Sequence, residues 1–297
     1  MNRDSFSKYH PSVSFVFFAL VFGFSMFSMH PGCLLVSFAA SICYYINLKG
    51  TKAAGLLLKG ALPLLLLTII INPAFSHAGE TIITYLPSKN PLTLESILYG
   101  AYAGILLASV LIWFGCFSIV FTSDKFVYLF GRIIPSLSLL LSMTLRFVPR
   151  FISQLESVRQ VQKTLGRDTS NGSLLKRTKN AITCFSIVVT WSLENSIDTS
   201  DSMKARGYGI GKRTAYSTYR FTKRDKEAMI YLAFSGIFLL AGNASGRLYW
   251  RFYPSVRGVL FDTITIVLII VFALLCFMPV IINRREEREW KRLKSKA

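Results

Sequence analysis

Residues 191–213 read WSLENSIDTSDSMKARGYGIGKR. The first half has the composition of a helix with a polar face carrying Glu194, Asp198 and Asp201. It runs to Ala205-Arg206-Gly207 and leaves through a glycine-rich, basic exit. An arginine in a last helical turn opposes the macrodipole, and a following glycine accepts the positive φ that closes a helix. Gly207-Tyr208-Gly209-Ile210-Gly211-Lys212 is not GxGxxG, and no strand pattern precedes it. It also fails Walker spacing, because Arg213 stands where Ser or Thr is required and Arg206 where Gly is required. The stretch is therefore read as a projecting helix end and not as a nucleotide cradle.

Working outward, residues 122–228 hold 18 Lys or Arg against 8 Asp or Glu, a surplus of about ten positive charges. No run in this segment is apolar and long enough to cross a bilayer, which needs roughly 20 residues of helix. Two amphipathic helices are expected in it. The first starts near Pro135, meets a break or kink at Pro149, and carries Phe151, Leu155, Val158, Val161 and Leu165 at three- and four-residue spacing. Gly166 supplies its stop. The second runs from about Leu174 to Arg206, with a stripe of Ile182, Phe185, Val189, Leu193 and Ile197. Both helices have an apolar seam, and both end at a glycine with basic residues nearby.

On either side of this insert the chain is strongly apolar. Of 297 residues, 52% are hydrophobic and 24 are Phe; the mean hydropathy is +0.46. A soluble domain is rarely so apolar. The blocks fall near 13–29, 34–46, 56–71 (with Pro63 inside), 94–121, 229–242 and 259–282. These imply an all-α polytopic membrane protein of about six spans, organised as 1–121 (four spans), a cytoplasmic domain at 122–228, and 229–297 (two spans and a basic tail). The net charge of +19 is distributed between and after the blocks. With both termini inside, only Lys89, Arg247, Arg251 and Arg257 fall in outer loops, and 30 of 34 basic residues lie on the cytoplasmic side. The first block is not followed by a small-residue cleavage site, so no removable signal peptide is expected.

Other chemistries lack support. Cys33, Cys43, Cys116, Cys184 and Cys276 form no CxxC pair, which argues against a zinc site or disulfide framework. His10, His30 and His77 are scattered, and no nucleophile and base stand at diagnostic spacing, so no enzyme, metal site or bound cofactor is expected. Ionisable residues within the spans are few: Lys59 lies near an inner edge and Asp262 near an outer edge. A stand-alone carrier or channel, the alternative reading, needs midplane charges or inverted repeats. A nucleic-acid binder needs aromatics interleaved with the basic residues, whereas the insert's aromatics sit mainly on the apolar seams.

The stretch SLENSIDTSDSMKARGYGIGKRT closely resembles the signature of the transmembrane T-component of energy-coupling factor (ECF) transporters, the EcfT/CbiQ family. Asp201, Met203, Ala205, Arg206, Gly207, Tyr208 and Gly209 match it. The preceding LRFVPRFISQLESVRQVQKTLG is similar to the family's first coupling helix, with Arg146, Pro149 and Gln162 in familiar places. The resemblance covers about 133–225. It implies a scaffold whose two long coupling helices cross and dock on two ATP-binding cassette ATPases, while its membrane face holds a substrate-binding S-component for a vitamin or metal ion. ATP would be bound by the ATPases and not by this chain. The docking residues carried over are Ala205, Arg206 and Gly207 at one helix end and Thr164, Leu165 and Gly166 at the other. Lys163, Arg167, Asp201, Met203, Tyr208 and Gly209 support them. The chain departs from the pattern at Thr164-Leu165-Gly166, where the family usually has Ala-Arg-Gly. Leucine replaces the arginine, leaving Lys163 or Arg167 to supply the charge.

Overall fold

The computed structural model describes residues 4–85, 91–131, 135–210, 219–258 and 262–295. The chain divides into two compact units, one formed by 1–122 with 219–297 and the other by 123–218.

The first unit is a helical membrane bundle of α1 (Pro11–Phe27), α2 (Pro31–Lys49), α3 (Thr51–Phe75), α4 (Leu94–Val120), α8 (Lys223–Ala244) and α9 (Thr263–Lys294). Five of these are long and apolar enough to span a bilayer, and α1 is a shorter apolar helix of 17 residues. At 1.5 Å per residue α1 reaches about 26 Å, the lower end of what a hydrocarbon core requires. The last two helices are longer than the apolar blocks suggest. α8 gains a polar first turn, and α9 runs without interruption from the apolar block through the charged tail. The protein is thus a multi-pass helical membrane protein. Among the described residues it also has two short hairpins, β1 (Ile82–Tyr85) with β2 (Pro91–Thr93) and β3 (Trp250–Arg251) with β4 (Arg257–Gly258), which periodicity does not announce.

Two of the helices begin in the same way. His10-Pro11 opens α1 and His30-Pro31 opens α2; each His caps its helix by accepting an amide hydrogen bond at Nδ1, from Ser12 (3.3 Å) and Gly32 (3.1 Å). Proline suits the first helical position because its missing N–H would be unpaired there anyway.

In lipid, helices gain little from apolar burial against one another, so packing and interhelical hydrogen bonds hold the bundle. Phe17, Phe18, Tyr44, Trp113 and Phe272 fill its centre. Ser25, Ser37 and Ser109 link α1, α2 and α4 through hydroxyl contacts of 2.7 and 3.2 Å, and Trp113 Nε1 donates to Ser37 at 3.0 Å. α3 packs closely on α4 because Gly100 and Gly104 present no side chain. A Cβ on Gly100 would lie 3.0 Å from the Thr68 carbonyl oxygen, and one on Gly104 would lie 3.2 Å from Leu65 Cα. Leu62, Leu66 and Ile70 of α3 are exposed, as befits a lipid-facing surface.

The bundle has two chemically different ends. At the charged end, Asn283 of α9 accepts the amides of Ser5 and Phe6 and donates to Asp4 at 2.6 Å. Asp225 of α8 accepts the His10 amide at 2.9 Å and the Thr222 amide at 2.8 Å. These bonds place the N-terminal segment, the start of α8 and the charged part of α9 together. The other end carries both hairpins and an aromatic group of Tyr99, Tyr102, Phe252 and Tyr253.

Candidate functional site

The second unit contains α5 (Ser123–Gly131), α6 (Pro135–Thr164) and α7 (Leu174–Ala205). Pro149 lies inside α6 without ending it. α6 and α7 pack as a hairpin, joined by a short connection at 165–173. Their contact face is not the one that sequence periodicity suggests. α7 buries Asn180, Cys184 and Val188, and Trp191 meets Phe151 edge-on at 6.0 Å with the Arg150 guanidinium 5.4 Å from its ring centre. The stripe of Ile182, Phe185, Val189, Leu193 and Ile197 lies outside this contact, with Phe185 65% and Ile197 64% exposed. On α6, Leu155, Val161 and Leu165 are exposed as well. Three- and four-residue spacing marks an apolar face correctly, but the face of α7 packed on α6 is the smaller, partly polar row.

The two helix ends close with the same hydrogen-bond pattern. At the first, Arg167 N–H donates to the Gln162 carbonyl (2.9 Å) and Gly166 N–H to the Lys163 carbonyl (3.0 Å), with Gly166 at φ +74. At the second, Tyr208 N–H donates to the Met203 carbonyl (3.0 Å) and Gly207 N–H to the Lys204 carbonyl (2.9 Å), with Gly207 at φ +83. Both are Schellman closures with glycine in the left-handed region. They align Lys163 with Lys204, Thr164 with Ala205, Leu165 with Arg206, and Gly166 with Gly207. The closure alone is not a functional mark, since α8 ends in the same way at Gly246, φ +72. What distinguishes the second end is the side chain it presents. Arg206 is the C-cap, is exposed, and forms no ion pair or side-chain hydrogen bond with any described residue. Asp201 is instead engaged by Lys204 in an exposed pair at 3.6 Å, and Met203 is half-buried beneath. Gly209, at φ +96, carries the chain outward; Gly211, Lys212 and Arg213 lie outside the described residues.

At the first end, Thr164, Leu165, Gly166 and Arg167 are all exposed. Leu165 points an apolar side chain outward, 66% exposed, where the second end has a guanidinium. The connection behind it is stitched by residues that periodicity does not single out. The Asp168 carboxylate accepts the Ser170 amide (2.9 Å), the Ser170 hydroxyl (2.8 Å) and the Asn171 amide nitrogen (2.9 Å). The Ser170 amide, followed by its hydroxyl, holds the Asp168 carboxyl below its usual range. Arg159 from α6 and Arg177 from α7 both donate to Thr169, at 2.7 and 3.1 Å, and Asn180 donates to the Asp168 carbonyl at 2.8 Å. Arg159 and Arg177 are thereby committed to the turn, while Lys163 and Arg167 remain at its surface. The signal in the sequence is Asp168-Thr169-Ser170-Asn171-Gly172, a cluster of residues that bond their own backbone in turns. Gln162 is buried nearby, and its side-chain oxygen has no hydrogen bond among the described residues.

The two ends are held apart by α7 itself. Its 32 residues extend about 48 Å at 1.5 Å per residue, with one glycine closure just before its start and the other at its finish. Chemically, the arrangement offers two separate protruding tips on one stiff hairpin, one of them a forked cation, with an apolar stripe between them. An exposed guanidinium at such a tip suits forked hydrogen bonding to a carboxylate. Among the described residues no group of three His, Cys, Asp or Glu side chains could hold a metal ion.

Comparison with known proteins bears directly on this geometry. Residues 4–216, which include both helix ends, match the CbiQ family, described as cobalt transport protein. Several relatives are named energy-coupling factor transporter transmembrane protein EcfT. That of Staphylococcus aureus is 23% identical over 271 residues, covering 82% of this chain and 99% of its own length. That of Lactococcus lactis is 26% identical over 196 residues, 62% of this chain and 72% of its own. That of Lactobacillus helveticus is 32% identical over 99 residues. The matched part spans only 36% of the Lactobacillus helveticus relative and 42% of the Streptococcus equi one. With more than two thirds of its length under the family match, the chain belongs to the EcfT/CbiQ family, the transmembrane components of energy-coupling factor transporters.

Proposed function

We propose that this chain is the scaffold of an ATP-driven importer, passing motion from two cytoplasmic ATPases to a membrane-embedded S-component that binds a vitamin or a metal ion. The observation that carries the reading is Arg206: an exposed cation with no ion pair among the described residues, fixed by a glycine closure at the tip of a 32-residue helix. In this scheme Ala205-Arg206-Gly207 enters an acidic groove on one ATPase. Thr164-Leu165-Gly166 docks on the other, with Lys163 and Arg167 supplying charge at its rim. Asp201, Met203, Tyr208 and Gly209 set the angle at which the second tip is presented.

The exposed stripe of α7 supports the S-component half of the proposal. A row of large apolar side chains left open on a helix marks a partner surface or lipid contact. Its 16 residues from Ile182 to Ile197 extend about 22 Å. The distribution of basic residues supports cytoplasmic N- and C-termini in the cell membrane. The chain itself holds no nucleotide in this scheme; ATP is bound and hydrolysed by the partners.

The test is co-purification. Arg206→Glu is expected to release at least one ATPase while the variant remains in the membrane with unchanged helical content. Normal retention of both ATPases together with normal uptake would refute the docking role.

A further inference from the structure

The charged end of the membrane bundle carries a groove between α8 and α9 with a volume of about 650 Å³. Its floor is apolar, built from Ala228, Leu274, Met278 and Ile281. Its rim is ionic, with Arg224, Glu227, Arg285, Glu286 and Glu289. The change from floor to rim follows α9 from its apolar block into its charged extension, the level at which a membrane helix passes from hydrocarbon to headgroups.

The rim charges are not equally committed. Arg224 bonds Glu286 at 3.1 Å and lies 5.9 Å from the ring centre of Tyr9. Arg285 has a longer, exposed contact with Glu289 at 3.5 Å. Glu227 is exposed and has no ion pair among the described residues. The available chemistry is therefore a carboxylate at Glu227, spare N–H donors on Arg285, and a hydrocarbon trough below. Three carboxylates against two guanidiniums leave the rim with a formal excess of one negative charge.

We infer that this groove binds a zwitterionic aminophospholipid of the phosphatidylethanolamine type. Its ammonium faces Glu227, its phosphate takes the free donors of Arg285, and one acyl chain lies along the Met278–Leu274 floor. A headgroup carrying only negative charge would meet the excess carboxylate. A choline headgroup offers no N–H to Glu227.

The experiment uses the full-length chain in detergent, with native mass spectrometry after exchange into phosphatidylethanolamine, phosphatidylglycerol or phosphatidylcholine of identical acyl chains. Retention of phosphatidylethanolamine should exceed that of each of the other two by about fivefold, the ratio expected of one partly exposed ion pair. Glu227→Gln should remove that preference while leaving helical content unchanged. Arg285→Gln should lower retention of all three, because each carries the phosphate. A photo-crosslinker replacing Met278 should label lipid. Equal retention of the three lipids, an unchanged preference in Glu227→Gln, or labelling of a protein at Met278 would each overturn the assignment.

Discussion

The two tips of the α6–α7 hairpin share a backbone and differ in one decisive side chain. Gly166 and Gly207 close their helices with the same pair of hydrogen bonds and nearly the same φ. Yet the cap residue is Leu165 at one tip and Arg206 at the other. Backbone closure is therefore the common element that fixes how a tip protrudes, and the cap side chain decides what it can grip. The difference makes the two tips unequal. The Arg206 tip should bind mainly through a charge-assisted fork, and the Leu165 tip through apolar contact with weaker charge at its edge.

That comparison can be broken most severely at Arg206. Arg206→Glu should weaken ATPase binding by on the order of 100-fold or more, since reversing one member of an enclosed charge pair costs several kcal/mol. Leu165→Glu should have a smaller effect, readable by the same titration. A result in which the two variants are equal would erase the asymmetry. In the other direction, Leu165→Arg should restore a fork to the first tip and tighten binding roughly tenfold, the order of one good charged hydrogen bond.

The shared closure predicts a smaller and symmetric effect. Gly166→Ala and Gly207→Ala each force a Cβ into the left-handed region, at about 1 kcal/mol. Amide exchange at Arg167 and Tyr208 should accelerate by roughly fivefold in the respective variants. A Cβ at Gly166 would meet nothing within 4 Å and one at Gly207 only Ile210 Cδ1 at 3.6 Å, an ordinary contact, so backbone strain, and not a clash, is responsible.

The smallest effect separates the tips by pH. The Asp168 carboxyl is held below the ordinary aspartate value of 3.8 by the Ser170 amide and hydroxyl. A lowered folded-state value means that its contribution to the turn is present above pH 3.8 and is lost as pH falls through the folded value. Acidification should therefore reduce protection of the Ser170 amide, read as its exchange rate relative to an unstructured amide at the same pH, behind the first tip before it affects Tyr208 at the second. Asp168→Asn should abolish that difference.

Much of this was legible in the residues themselves. The apolar blocks announce the spans, and Gly166 and Gly207 announce where the two long helices stop. The Arg206 context carries the family. The direction of the apolar stripe was not legible. Periodicity shows that Ile182, Phe185, Val189, Leu193 and Ile197 share a face, but it cannot say what covers that face. The packed face of α7 carries instead Asn180, Cys184, Val188 and Trp191, a row at ordinary helical spacing whose mixed polarity hides it from a search for apolar residues. The ties from Arg159 and Arg177 to Thr169 escaped for a similar reason. They join residues 8 and 10 positions apart through a turn whose geometry only the folded chain supplies. The small hairpins were hidden because their strands are two to four residues long.

The central claim is that the Arg206 tip is gripped by a nucleotide-hydrolysing partner. A photo-reactive residue placed at position 206 in the full-length chain, activated in native membranes, tests this most directly. The account predicts a crosslink to an ATP-binding cassette subunit, with the same probe at position 197 labelling a membrane protein or lipid instead. Exclusive labelling of lipid at position 206, or of a protein that binds no nucleotide, would contradict it.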